Sequence, residues 1–123
     1  MLSLTLPCDE RAPGSVREAV LQLSEDRAAF GDVMLVASEL VTNAVRHSGA
    51  GREDILEVAL LRQDDHVLVS VTDPGLSGAR ARTLDPAGAT FHGLGLMVVQ
   101  QLSSQWGEER AGGYRVWACV PVK

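Results

Sequence analysis

The sequence predicts an α+β protein, a two-layer α/β sandwich in which helices cover one face of a mixed sheet. Three observations predict it. Apolar residues recur at helical spacing in three stretches, two early in the chain and one late. Ile55–Arg62 and Val67–Asp73 are β-like runs joined by a short polar turn, and a second hairpin across a glycine-containing turn is read near the end of the chain. A chain of 123 residues, 46% hydrophobic and 22% charged, is expected to form one domain over residues 1–123, with a single core and no need of staples.

The elements follow in order. Leu2, Leu4 and Leu6 alternate with polar residues and predict an edge strand that Pro7 ends. Ser15-Val16-Arg17-Glu18 has the form of a capping box, and Val16, Ala19, Val20 and Leu23 then make the apolar stripe of a first helix. Gly31 and Asp32 punctuate. Asp32 is the expected N-cap of a second helix over Val33–His47, with Gly49 as its left-handed stop. Ile55–Arg62 and Val67–Asp73 predict a hairpin across Gln63-Asp64-Asp65-His66. From Pro74 to His92 small residues dominate and nothing is periodic, which in a compact domain marks a functional lid or a loop. Leu94, Leu96, Met97, Val98 and Val99 open a third helix, expected to end near Gly107. A last hairpin pairs Trp106–Arg110 with Tyr114–Pro121 across Ala111-Gly112-Gly113.

Composition excludes several classes of function. A net charge of −5 lacks the basic footprint of a nucleic-acid or membrane surface. The N-terminal residues have no basic segment and no long apolar run, so neither signal peptide nor membrane span is expected. Cys8 and Cys119 lack metal-ligand spacing and are read as reduced thiols, which fits a cytoplasmic protein. Ten arginines accompany one lysine, Lys123, and no Gly-Lys pair exists, so a P-loop is ruled out. A bound phosphate would have to be neutralised by Mg²⁺, arginine or helix N-terminal amides.

Three places carry chemistry. In Ser38-Glu-Leu-Val-Thr-Asn-Ala-Val-Arg-His47, the residues Glu39, Asn43 and His47 stand at i, i+4 and i+8 of the second helix. At about 100° per residue all three share one face, bordering an apolar stripe where polar groups need a partner. Asp73-Pro74-Gly75 follows a buried strand. A carboxylate there can accept from an exocyclic amine, with the glycine admitting a flat ring, or the three residues can simply make a turn. His92-Gly93-Leu94-Gly95-Leu96 opens the third helix, where free amides and the helix dipole suit an anion and where a hinge is the other reading.

In this order the three places resemble the motifs of the GHKL (Bergerat-fold) ATPases, which share the histidine kinase-like ATPase fold. The N box falls on Glu39–His47, the first glycine box on Asp73-Pro74-Gly75, the ATP lid on about residues 76–92, and the second glycine box on Gly93-Leu94-Gly95-Leu96. Within that superfamily the chain is similar to the small RsbW-type anti-sigma factor serine/threonine kinases, whose actinobacterial-type members share phrases such as Val116-Trp117-Ala118. The resemblance implies ATP and Mg²⁺ as cofactors. It gives Asn43 the metal, Glu39 the role of general base, Asp73 and Gly75 the adenine, and Gly93, Leu94 and Gly95 the phosphates. His47 is expected to pack or hydrogen-bond rather than to act in chemistry. The implied partners are a STAS-domain anti-anti-sigma protein, phosphorylated on serine or threonine, and a sigma factor held in sequestration. Such proteins are often dimers, although no residue here announces a dimer face.

The chain departs from the pattern at two points. Ser77 stands where the first glycine box commonly has its second glycine, and Gly113-Tyr114-Arg115 stands where small members often carry Gly-Lys. These departures motivate the alternative function, a non-catalytic or weakly ATP-binding adaptor that only sequesters a regulatory protein. Arg80 and Arg82 in the lid are either solvated charges or clamps for a γ-phosphate.

Overall fold

The computed structural model describes residues 2–23, 27–47, 51, 53–75, 93–110 and 112–122. The elements are β1 (Leu2–Pro7), α1 (Ala12–Leu23), α2 (Arg27–His47), β2 (Ile55–Gln63), β3 (His66–Asp73), α3 (Gly93–Leu102), β4 (Gln105–Arg110) and β5 (Tyr114–Pro121). The strands form one five-stranded sheet in the order β1-β2-β3-β5-β4. The α+β sandwich is as the sequence predicts. The lid about residues 76–92, with Ser77, Arg80, Arg82 and His92, lies outside the described residues, and so does the expected helix stop at Gly49.

The sheet is not mixed. Each of its four pairings is antiparallel. Strands β3 and β4 do run the same way, since both are antiparallel to β5, but β5 lies between them and no parallel ladder forms. Alternation sorts the side chains. Leu56, Val58 and Leu60 of β2, Val67, Val69 and Val71 of β3, and Val116, Ala118 and Val120 of β5 are buried together. Helix α2 packs on β3 and β5, α1 on α2 and β1, and α3 on α2, β4 and β5. The buried stripe of α2 runs through Phe30, Val33, Val36, Ala37, Leu40, Val41 and Ala44.

Strand ends match the sequence reading closely; of the helix ends, the close of α2 at His47 and the opening of α3 at Gly93 match, and the others do not. Helix α1 begins at Ala12, so Ser15 lies inside it, its amide donating to the Arg11 carbonyl at 3.1 Å. The capping is done by Asp9, whose Oδ1 accepts from the Arg11 amide at 2.9 Å. Pro13 falls in the first turn, where a missing N–H is tolerated. Helix α2 begins at Arg27 rather than Val33, so Gly31 and Asp32 are interior and exposed rather than a break. An interior glycine costs about 1 kcal/mol, which the full burial of the Phe30 ring one residue earlier offsets. Arg62 of β2 adds a cation–π contact, its guanidinium carbon 5.3 Å from the Phe30 ring centre. Helix α3 stops at Leu102, not near Gly107, because the Ser104 amide turns to the Cys119 carbonyl at 2.8 Å and draws the chain into the sheet. The β2–β3 turn is Asp64-Asp65, with Asp64 at φ +53°. The neighbouring His66 ring nitrogen, 2.7 Å from Asp65 Oδ1, holds that exposed carboxyl below its ordinary range.

The other face of the sheet presents Ser3, Thr5, Glu57, Ser70, Thr72 and Trp117. There the half-buried Trp117 lies across Gly107 on the edge strand, where a Cβ would stand 2.8 Å from the indole Cζ2. Gly107→Ala is expected to destabilise the fold by about 1–2 kcal/mol, because the indole must rotate off the edge strand. Urea denaturation checks this: the midpoint should fall with an unchanged slope, and an unmoved midpoint would contradict the packing. Neither Cys8 nor Cys119 is in a disulfide, and among the described residues no helix is long and apolar enough to cross a membrane.

Candidate functional site

Helix α2 crosses the sheet over β3 and β5, and the site lies where its C-terminal half meets the ends of those strands. Leu40, Val41 and Ala44 fix the rotation of the helix by burial. That rotation places Glu39 and Asn43 at the margin of the stripe, both half-buried. Ser38, also buried, is satisfied within the helix, its hydroxyl donating to the Leu35 carbonyl at 3.0 Å. The side chain of His47 lies outside the described residues.

Asp73 ends β3 on the covered face and is only 4% exposed. Its Oδ1 accepts from the Gly75 amide at 2.6 Å, and Gly75 adopts φ +72°, a conformation side-chain-bearing residues seldom take. Asp73-Pro74-Gly75 therefore does make a turn, and that turn is also what fixes the Asp73 carboxylate on the helix side. In the turn before β5, Gly113 has φ +144° and lies so close that a Cβ on it would be 2.3 Å from the Asp73 carbonyl oxygen.

Asn43 and Asp73 share a cavity. With Leu40 and Ala44 of the helix and Val71, Tyr114 and Val116 of the sheet, they line one small cavity of about 10 Å³, room for little more than a water. Glu39 does not line this cavity. It stands one helical turn before Asn43, a separation of about 5–6 Å between Cβ atoms. Gly93, Leu94 and Gly95 form the first turn of α3, as the sequence predicts, and α3 packs against α2. Amides in that turn have no acceptor within the helix. Among the described residues no three His, Cys, Asp or Glu side chains cluster as metal ligands.

Sequence reasoning did not place Tyr114 and Glu108 here. Tyr114 is the register partner of Asp73 across β3 and β5, is 3% exposed, and donates its hydroxyl hydrogen bond to Glu108 of β4. The sequence carried a hint, since Tyr114 stands at a position where the chain departs from its resembled family. What it could not supply was the β3–β5 pairing that sets Tyr114 beside Asp73. At the rim, the Arg110 guanidinium lies 3.3 Å from where a Cβ on Gly75 would be.

Comparisons with known proteins bear on this geometry. The family model described as histidine kinase-like ATPase domain matches residues 11–119. No curated protein matches the sequence. Among solved structures the chain is similar to the RsbU and RsbW domains of Rv1364c from Mycobacterium tuberculosis, with 24% identity and a TM-score of 0.68 over 98% of this chain and 31% of that one. It is also similar to the histidine kinase domain of a blue-light activated histidine kinase from Erythrobacter litoralis, with 20% identity and a TM-score of 0.60 over 95% of this chain and 62% of that one. A third likeness is to the Acinetobacter baumannii histidine kinase AdeS, with 20% identity and a TM-score of 0.54 over 100% of this chain and 68% of that one. At such identities the likeness is one of fold, and the chain spans less than two thirds of each of the first two.

Proposed function

The chain belongs to the histidine kinase-like ATPase domain family, and on that premise we propose that it is a Mg²⁺-ATP-dependent serine/threonine kinase of the anti-sigma type. The observation that carries this reading is the meeting of Asn43 and Asp73 at one cavity, with Glu39 a turn away on the same helix. Asp73, held by the Gly75 amide, accepts the exocyclic amine of adenine, and Gly75 lets the ring approach the backbone. The Asn43 carboxamide offers a hard oxygen to Mg²⁺, which with phosphate oxygens and water needs no carboxylate cage. That ion, when bound, neutralises charge on the transferring phosphate. The first-turn amides of Gly93, Leu94 and Gly95 receive the phosphate oxygens. Glu39 takes the proton of the attacking hydroxyl.

The substrate of this reading is a STAS-domain anti-anti-sigma protein and the second partner is a sigma factor. What supports it is the sequence resemblance together with a fold like that of the RsbU and RsbW domain structure. A second reading, an adaptor that binds ATP weakly or not at all, draws on the smallness of the cavity around Tyr114.

Thermal denaturation with MgATP, on wild type and Asn43→Ala, separates the two. A ligand at a hundred times its Kd stabilises by about 2.7 kcal/mol. For a domain of this size that is a rise of roughly 10 °C in Tm. Wild type should show it and Asn43→Ala should lose most of it. A folded wild type with no shift would leave the adaptor as the better account.

A further inference from the structure

We propose that Tyr114 is a specificity-determining residue that sets the depth of the base pocket, with Glu108 as its positioning residue; this rests on the nucleotide reading above. Tyr114 lines the cavity that Asn43 and Asp73 share. The ring sits beside Asp73 because the two residues are register partners on β3 and β5, on the face covered by α2. It cannot easily turn away. Its hydroxyl donates to the Glu108 carboxylate two residues along on the adjacent strand, and the residue is 3% exposed. A buried tyrosine hydroxyl held by a carboxylate locks both side-chain torsions of the ring.

The consequence is steric. A base whose exocyclic amine reaches Asp73 finds only about 10 Å³ of free space beside that carboxylate, and Tyr114 is part of its wall. An unsubstituted amine fits against the ring. An amine bearing a benzyl or alkyl group does not, because the cavity, lined also by the buried Val71 and Val116, has room for little more than a water. The site therefore takes a 6-aminopurine triphosphate and rejects its N6-substituted analogues.

The test is competitive binding of MgATP and Mg-N6-benzyl-ATP to the full chain. Wild type should prefer MgATP by tenfold or more, the range that a closed apolar wall gives. Tyr114→Ala enlarges the cavity and should bring the analogue to parity or better, a gain that mere loosening of the fold does not produce. Glu108→Leu should erode the preference several-fold, and Glu108→Gln, which keeps an acceptor for the hydroxyl, should restore it. Equal rejection of the analogue by wild type and Tyr114→Ala, with MgATP still bound, overturns the proposal. Should Tyr114→Ala not fold, the wild-type fold itself can be read, since the chain has a single tyrosine. Labelled with 3-fluorotyrosine, its one fluorine resonance should move with MgATP and stay unmoved with Mg²⁺ and a ribose triphosphate that lacks the base. A resonance indifferent to saturating MgATP refutes the placement. A wild type with no affinity for MgATP refutes the nucleotide reading, and this proposal with it.

Discussion

Gly113→Ala is expected to destabilise the protein by about 3 kcal/mol, more than any surface substitution, and to weaken nucleotide binding as well. Two independent costs meet at this position. The φ of +144° is one that residues with a side chain seldom adopt. The new methyl group would also start 2.3 Å from the Asp73 carbonyl oxygen, a backbone atom that cannot rotate aside. Relief requires β3 and β5 to part at their ends, where Asp73 and Tyr114 are paired. Parting them moves the Asp73 carboxylate from the position in which the Gly75 amide holds it. A fall in Tm of roughly 10 °C is the first readout, and a smaller MgATP-induced rise is the second. Gly112→Ala serves as the control. A Cβ there meets nothing within 4 Å, and only its φ of +66° counts against the substitution. Equal losses in the two variants would show that backbone conformation alone, and not the contact with Asp73, sets the cost at Gly113.

The different fates of strands and helices in the sequence reading have a physical cause. Strand limits are written locally: Pro7, Asp64-Asp65 and Gly112-Gly113 are breakers or turn formers, and these are where β1, β2 and β4 end or turn. The starts of α1 and α2 are decided by contacts that composition does not rank. Gly31-Asp32 has the composition of a break, yet Phe30 is fully buried against the core and the helix runs through. Ser15 has the composition of a cap, yet Asp9 reaches the free amides first. The antiparallel order was equally hidden, because inserting β5 between β3 and β4 is a choice made by the whole sheet.

The candidate site divides along the same line. The spacing of Glu39 and Asn43 is a property of one helix, and the place of Asp73 at a strand end a property of one strand, so both were legible. That Asn43 and Asp73 line a common cavity needs α2 to cross β3, which no local pattern records. Tyr114 is further still from legibility, since its neighbour Asp73 is reached only through the β3–β5 ladder and its anchor Glu108 only through β4–β5. The glycines before α3 stand between these cases: Gly93 does open the helix, as its sequence indicated, but what its amides face is a tertiary matter.

Glu39→Ala should lower phosphotransfer by about 10²- to 10⁴-fold while leaving the MgATP-induced rise in Tm nearly intact, the range found when a general base is removed. The separation of effects follows from where the side chain stands. Glu39 is half-buried at the margin of the α2 stripe but does not line the cavity of Asn43 and Asp73. Its removal leaves the lining of that cavity and the Asn43 carboxamide in place. On the proposed reading Glu39 stands one turn from the residue that would hold the metal, and its carboxylate would reach a hydroxyl aligned with the transferring phosphate. Little of phosphoryl transfer is covalent work for the protein, so a lost base leaves positioning and charge neutralisation in place and the residual rate need not be zero. Single-turnover transfer of labelled γ-phosphate to a STAS-domain protein with an acceptor serine gives the rate. Glu39→Asp keeps the carboxylate but shortens its reach, and should fall between alanine and wild type. Transfer by Glu39→Ala at the wild-type rate would remove Glu39 from the chemistry and return the proton to solvent. A loss of MgATP stabilisation as large as that of Asn43→Ala would make Glu39 part of the metal position instead.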